Sequence, residues 1–225
     1  MLSFQQFTEG VNDPAIFKAI FLAGGPGSGK SFIVGKTGLT AMGYKVVNSD
    51  DAFEQSLKKA GLTMNPDDIF SVKGQEIRGK AKRLTAKKQE RYLKGRLGIV
   101  VDGTGKDFAK ISKQVKSVQA LGYDTAMIFV NTDLETAVKR DEERPRTLGR
   151  DEVTKMWKVV QSNIGAFQRM FGKPNMLIVD NSDDKDFKKE TLRAYRDAIK
   201  FTNKEPQSQK AQNWIKQEKQ KVKRT

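Results

Sequence analysis

Gly24-Gly25-Pro26-Gly27-Ser28-Gly29-Lys30-Ser31 fits G-x-x-x-x-G-K-[ST], the spacing of a loop that cradles phosphates. Its flanks decide whether the match has meaning. Ile16 to Ala23 is an apolar run of strand length, and Phe32 to Thr37 can continue as a helix. In the order strand, glycine loop, helix, successive backbone N–H groups turn inward onto phosphate oxygens, and the helix N-terminus adds positive partial charge. Gly25, Pro26, Gly27, Ser28, Gly29, Lys30 and Ser31 then line a nucleotide triphosphate, with Lys30 reaching the outer phosphates and the Ser31 hydroxyl ligating Mg²⁺. The bland alternative is a glycine-rich turn before an ordinary helix. A dinucleotide loop is excluded, because the glycines do not space as G-x-G-x-x-G.

Further strands follow at Gly43 to Asn48, Leu97 to Asp102, Thr125 to Asn131 and Asn175 to Asp180, separated by helical stretches. Short apolar strands alternating with helices predict an α/β fold: a three-layer P-loop architecture with a five-stranded parallel sheet. Right-handed crossovers bring every strand C-terminus to one edge, where ligands bind. Gly24 to Ser31, Asp50, Asp102 and Asn131 should therefore face one crevice. Asp51 with Glu54 and Thr132 with Glu135 have capping-box spacing and predict two helix starts. Lys73 to Gly95 reads as a long helix with a thin apolar stripe, so it is mostly solvent-facing. Val153, Trp157, Val160, Ile164, Phe167 and Phe171 form a core-facing stripe. The expected organisation is an N-terminal peptide over 1–14, a P-loop domain over 15–202 and, after the hinge at Glu205-Pro206, a basic C-terminal tail over 203–225.

The 225 residues carry a net charge of +15, with no Cys and no His. Disulfides, thiolate metal sites and histidine bases are excluded, so acid–base work falls to carboxylates, Lys or Tyr. Residues 71–97 hold ten Lys or Arg against two Glu, and residues 200–225 hold eight against two. Such clusters serve either a polyanion or a solvated helix face. We expect a nucleic-acid partner through 73–96 and 203–225. No apolar run approaches the roughly 18 residues of a membrane span, and no charged-then-apolar leader is present, so a cytoplasmic protein without a membrane partner is expected.

Gly103 follows the strand-end Asp102 where hydrolytic motors often carry Glu, and no N-K-x-D base reader is present. Both features favour phosphoryl transfer to an acceptor over hydrolysis. Transfer to a hydroxyl needs a carboxylate to take the proton, cations to neutralise the moving phosphoryl group, and a means to exclude water. Asp50 is the carboxylate left over if Asp51 caps a helix. Arg140, Arg144, Arg146 and Arg150 lie within eleven residues between two helices, a composition suited either to a lid over the nucleotide or to a salt-bridged hairpin. Asp102 joins Ser31 as a candidate for Mg²⁺.

These motifs resemble the P-loop kinases of the polynucleotide 5′-kinase and zeta-toxin group, many of them phage-encoded, from about Phe21 to Asp180. The resemblance rests on Gly25 to Ser31, Asn48-Ser49-Asp50-Asp51, Val101-Asp102-Gly103-Thr104, and the stretch from Lys139 through Arg144 to Trp157. It implies an ATP- and Mg²⁺-dependent kinase with Asp50 as general base and Arg144 as the lid arginine on the β- and γ-phosphates, aided by Arg146. The group's acceptors include polynucleotide 5′-hydroxyls, hydroxymethylated bases and nucleotide sugars. Two departures concern the acceptor: Ser49 and Phe53 stand where polynucleotide kinases carry Arg. A nucleotide-binding accessory protein that transfers nothing is the alternative of a different class. Separately, Met1 to Glu9 resembles the capsid-targeting peptides of large tailed phages, which implies cutting before Gly10 by a prohead protease and packaging into the virion.

Overall fold

The computed structural model describes residues 11–143, 147–183 and 185–222. The order is β1 (Lys18–Ala23), α1 (Lys30–Lys36), β2 (Lys45–Val47), α2 (Ser49–Lys59), α3 (Pro66–Phe70), α4 (Val72–Lys94) and β3 (Ile99–Asp102). There follow α5 (Phe108–Ala120), β4 (Asp124–Asn131), α6 (Leu134–Glu142), α7 (Arg150–Ser162), α8 (Ile164–Phe171), β5 (Met176–Asp180), α9 (Phe187–Thr202) and α10 (Gln209–Val222). The sheet order is β2-β3-β1-β4-β5, and every pairing is parallel. The three-layer P-loop fold is thus present, with β1 and its loop near the middle of the sheet.

Alternation along the strands divides the core in two. Ala19, Phe21 and Ala23 face a layer built by α5, α8 and α10, whereas Ile20 and Leu22 face Ile33 of α1 and Ala194, Ala198 and Phe201 of α9. A third, smaller cluster lies off the sheet. Phe53, Leu57, Ile69, Ile77 and Ala81 bind α2, α3 and α4 into a separate arm.

Local chemistry moves two predicted helix starts. Asn48, not Asp51, caps α2: its backbone is extended (φ −134°, ψ 127°) and its side chain accepts from Asp50 N. Asp51 and Glu54 both fall inside the helix. Asp133, not Thr132, caps α6, accepting from Thr136 N at 2.8 Å and Thr136 Oγ1 at 2.6 Å. Thr132 is buried and its carbonyl already receives the Trp157 indole N–H at 2.8 Å, which places it too deep to cap. The stripe from Val153 to Phe171 runs over two helices, broken at Asn163, whose amide turns to the carbonyls of Gly105 and Lys106 at 3.0 Å each.

The two basic segments converge. The residues after Pro206 form α10, whose Trp214 meets Phe17 edge-on at 5.5 Å, and the Arg96 guanidinium that ends the α4 turn lies 5.8 Å from the same ring. Phe17 precedes β1, so this meeting point is at the sheet edge opposite the glycine loop. Among the described residues, no helix is long and apolar enough to cross a membrane.

Candidate active site

The glycine loop is pressed between two walls. Gly27 has φ +69°, and a Cβ there would lie 2.4 Å from the Ala137 carbonyl oxygen of α6. Gly29 has φ +83°, and a Cβ would lie 2.4 Å from the Asn181 side-chain nitrogen. Only glycine meets both demands, a left-handed backbone and no side chain. Asn181, just past β5, donates its Nδ2 to the Ser28 carbonyl at 2.8 Å. Arg140 reinforces this wall: its Nη1 donates to Asn181 O at 2.9 Å and to Gly27 O at 3.5 Å, and its Nη2 donates to Asp183 at 2.7 Å. Lys139 and Arg140 together hold the Asp183 carboxyl below its ordinary range.

Inside the loop, Lys30 Nζ donates to the carbonyls of Gly24 at 2.7 Å and Gly25 at 3.4 Å. Its charge therefore sits within the cradle. The Ser28 hydroxyl is buried without a hydrogen-bond partner. Nothing lies within 4 Å of a Cβ built on Gly25, so the mouth of the loop is open there. An orphaned hydroxyl, a poised ammonium and a glycine-lined opening fit a chain of phosphates.

β3 brings the second group. Leu22 pairs with Asp102 and Val47 with Val101, so the ends of β1, β2 and β3 lie side by side. Asn48, which caps α2, donates Nδ2 to Asp102 Oδ2 at 3.1 Å. Asp102 Oδ1 is buried with no partner. Burial pushes the Asp102 carboxyl above its ordinary range, Lys30 opposes that shift, and the neighbouring charges of Asp50 and Asp51 add to it. Four predicted or adjacent residues, Lys30, Asp50, Asp51 and Asp102, thus share one electrostatic environment. Asp50 itself is exposed on the first turn of α2, beside the crevice. Ser31 stands exposed at the start of α1. An unpartnered hard carboxylate oxygen at the end of β3 and a serine hydroxyl at the start of α1 are the kinds of group that suit Mg²⁺, which takes one or two protein oxygens and completes its shell with phosphate and water.

The arginine-rich segment is described in part. Arg144 and Arg146 lie outside the described residues. Arg140 is brought to the loop, as its hydrogen bonds show. Arg150 is turned to Glu135, with 2.5 Å between Nη2 and Oε1, on the exposed side of α6. Asp141 closes the base of the segment: it is buried, and its Oδ2 accepts from the backbone N–H of Leu148 at 2.7 Å and Gly149 at 3.2 Å.

Asn48, Asn181 and Asp141 organise the site without having been singled out as site residues. For the first two the available signal was an Asn at the end of an apolar strand; for Asp141 there was none, since its partners are backbone groups.

The family model described as Zeta toxin matches residues 6–191. No curated protein matches the chain. Among solved structures, the complex AvrRxo1-ORF1:AvrRxo1-ORF2 with sulphate ions is similar at 17% identity and TM-score 0.57, over 79% of this chain and 61% of that chain. The same pair with ATP gives 16% identity and TM-score 0.57, over 79% and 60%. A chain of the Pnkp1/Rnl/Hen1 RNA repair complex gives 20% identity and TM-score 0.53, over 73% and 49%. This chain spans about three fifths of the length of the first two and about half of the third, and the likeness is one of fold.

Proposed function

We propose, from the premise that this chain belongs to the zeta toxin family and is an ATP-dependent kinase, that it moves the γ-phosphoryl group of ATP to a hydroxyl on nucleic acid. The observation that carries the transfer chemistry is the shared environment of Lys30, Asp50 and Asp102 at adjoining strand ends. Loop amides and Lys30 hold the β- and γ-phosphates. Asp50 takes the proton from the acceptor hydroxyl as its oxygen forms a bond to the γ-phosphorus. The bond from that phosphorus to the β,γ-bridging oxygen breaks, and ADP leaves with the electron pair. Arg144 and Arg146 act from the lid on the charge spread over the phosphoryl oxygens, and Arg140 keeps the loop in shape. Asp102 and Ser31 would hold Mg²⁺, which would supply charge neutralisation for the transferring phosphates.

Nucleic acid is favoured by the course of α4, which carries its cations from the arm beside Asp50 to the far edge of the sheet, where α10 adds its own. A polyanion tracking that path should bind with steep salt dependence. The family match favours a second reading, a nucleotide-sugar acceptor.

The test is transfer from γ-labelled ATP to a panel of 5′-hydroxyl DNA, 5′-hydroxyl RNA, hydroxymethylated DNA, nucleosides and nucleotide sugars. Asp50→Ala should lower transfer about 10²- to 10⁴-fold while ATP still binds. Undiminished transfer would overturn the base assignment; ATP binding with transfer to none of the panel would favour an accessory protein. The N-terminal resemblance extends the proposal to a phage-encoded protein of the host cytoplasm, packaged after cutting before Gly10. Its absence from virions, or an intact N-terminus there by mass spectrometry, would remove that part.

A further inference from the structure

The α2–α3–α4 arm holds an arginine seated against its small core. The Arg78 guanidinium carbon of α4 lies 4.7 Å from the centroid of the Phe53 ring. Its Nε is buried and meets no hydrogen-bond partner, and no carboxylate pairs with it among the described residues. Buried donors normally find partners, and leaving one unmade is costly, more so on a charged group. Phe53 is itself almost fully buried in the arm's small core, so the platform under the guanidinium is fixed. Stacking uses the face of a guanidinium and not its in-plane N–H donors, and Arg78 as a whole is only partly buried.

The position of this fork follows from helix register. Lys73 Nζ donates to the Ala60 carbonyl at 3.3 Å at one end of the arm, and Arg78 meets Phe53 further along. α4 therefore runs antiparallel to α2, toward the end of α2 that bears Asp50. Phe53 is three residues from Asp50, one helical turn. Continuing the register by that turn carries α4, at the level of Ala81, toward the end of α2 that bears Asp50. The apolar side of α4 packs on α2 through Ile77 and Ala81, exposed Lys80 and Lys82 border it, and among the described residues of α4 it is Arg78 that lies over the buried Phe53 ring.

We propose that Arg78 grips a phosphate of the acceptor and so sets its hydroxyl against Asp50. This rests on the kinase reading above and deepens it by assigning the acceptor side. The guanidinium fork matches phosphate in a bidentate way that lysine does not. The recognised chemistry is a phosphate-bearing alcohol, and a polynucleotide and a nucleotide sugar are its two sources.

The experiment measures kcat and KM for a 5′-hydroxyl oligonucleotide and for a UDP-sugar, in wild type, Arg78→Ala, Arg78→Lys and Lys116→Ala, the last an exposed α5 residue outside the site. On whichever acceptor the wild type uses, Arg78→Ala should raise acceptor KM about tenfold or more, with ATP KM within about twofold and Lys116→Ala unchanged. Arg78→Lys should recover part of the loss, since it restores charge without the fork. An acceptor KM within about twofold of wild type in Arg78→Ala would overturn the assignment and leave the kinase reading standing. If the wild type transfers to neither probe, the kinase reading fails on these acceptors, and calorimetric binding of the same two probes decides Arg78 separately. Binding lost in Arg78→Ala sustains the phosphate grip; binding retained, or no binding to wild type, overturns it. Thermal melts of each variant separate a binding loss from unfolding.

Discussion

The two sides of the crevice are held by different means. On the nucleotide side, the loop between β1 and α1 is locked by backbone approaches: α6 and Asn181 stand where any side chain on Gly27 or Gly29 would go, and Arg140 ties the wall together. On the proposed acceptor side, five buried residues hold α2, α3 and α4 in an arm joined to the sheet domain through the chain itself, β2 and the far end of α4, where Tyr92 and Leu93 pack on the sheet core. The first side is rigid because its geometry tolerates one residue type. The second is a small core under a long solvated helix, which can be altered without reaching the sheet. In the proposed kinase, phosphate binding, common to any nucleotide, would sit on the rigid side and discrimination among acceptors on the adjustable one.

The largest effect expected from this contrast is at Gly27. Gly27→Ala forces a Cβ to within 2.4 Å of a backbone oxygen at positive φ. ATP affinity should fall about a hundredfold or more, read by calorimetry, because αL strain of roughly 1–2 kcal/mol adds to the clash. Retained affinity would show that the loop wall yields, and the contrast would fail. Phe53→Ala should cost about 3 kcal/mol of arm stability and weaken acceptor use, while ATP binding stays within about threefold. A comparable loss of ATP affinity would mean that the two sides are one cooperative unit.

Asp102→Asn gives a smaller effect whose sign is set by pH. Burial raises the native Asp102 carboxyl above its ordinary value of 3.8. A carboxyl raised in the native state contributes stability that is full below the unfolded value and is lost as pH rises through the native value. Without Mg²⁺, the variant should therefore melt above wild type at neutral pH, and the difference should close as pH falls toward 3.8. Added Mg²⁺ and nucleotide should stabilise wild type more than the variant. The smallest effect is expected on the outer face of the arm, where Lys58 pairs with Glu54 at 2.9 Å and both are well exposed. Lys58→Ala should cost at most about 0.5 kcal/mol, because such i,i+4 pairs gain little in water. A loss near that of Phe53→Ala would show that charge, not packing, holds the arm.

The legible parts were those written in local pattern. The five strands, the glycine loop, Asp102 at the end of β3 and the polar length of α4 all follow from runs of neighbours along the chain. Two helix caps were misplaced, by three residues at Asn48 and by one at Asp133, because several capping residues stood in a row and only the fold chose among them. Asn181, Asp141 and Arg78 were not legible as parts of the site: Asn181 acts on the Ser28 carbonyl far away in sequence, Asp141 on backbone N–H groups that carry no side-chain signature, and Arg78 is one of many cations on its helix.

By itself, then, the sequence determined the sheet, the phosphate loop and the chemistry left when His and Cys are absent, since strand periodicity and loop spacing are properties of adjacent residues. Tertiary structure alone decided which polar groups meet. It set Asn48 between α2 and Asp102, turned Arg140 to the loop and Arg150 to Glu135, and laid Arg78 on Phe53. Those outcomes depend on distances between elements far apart in the chain, and such distances are fixed only when the helices pack.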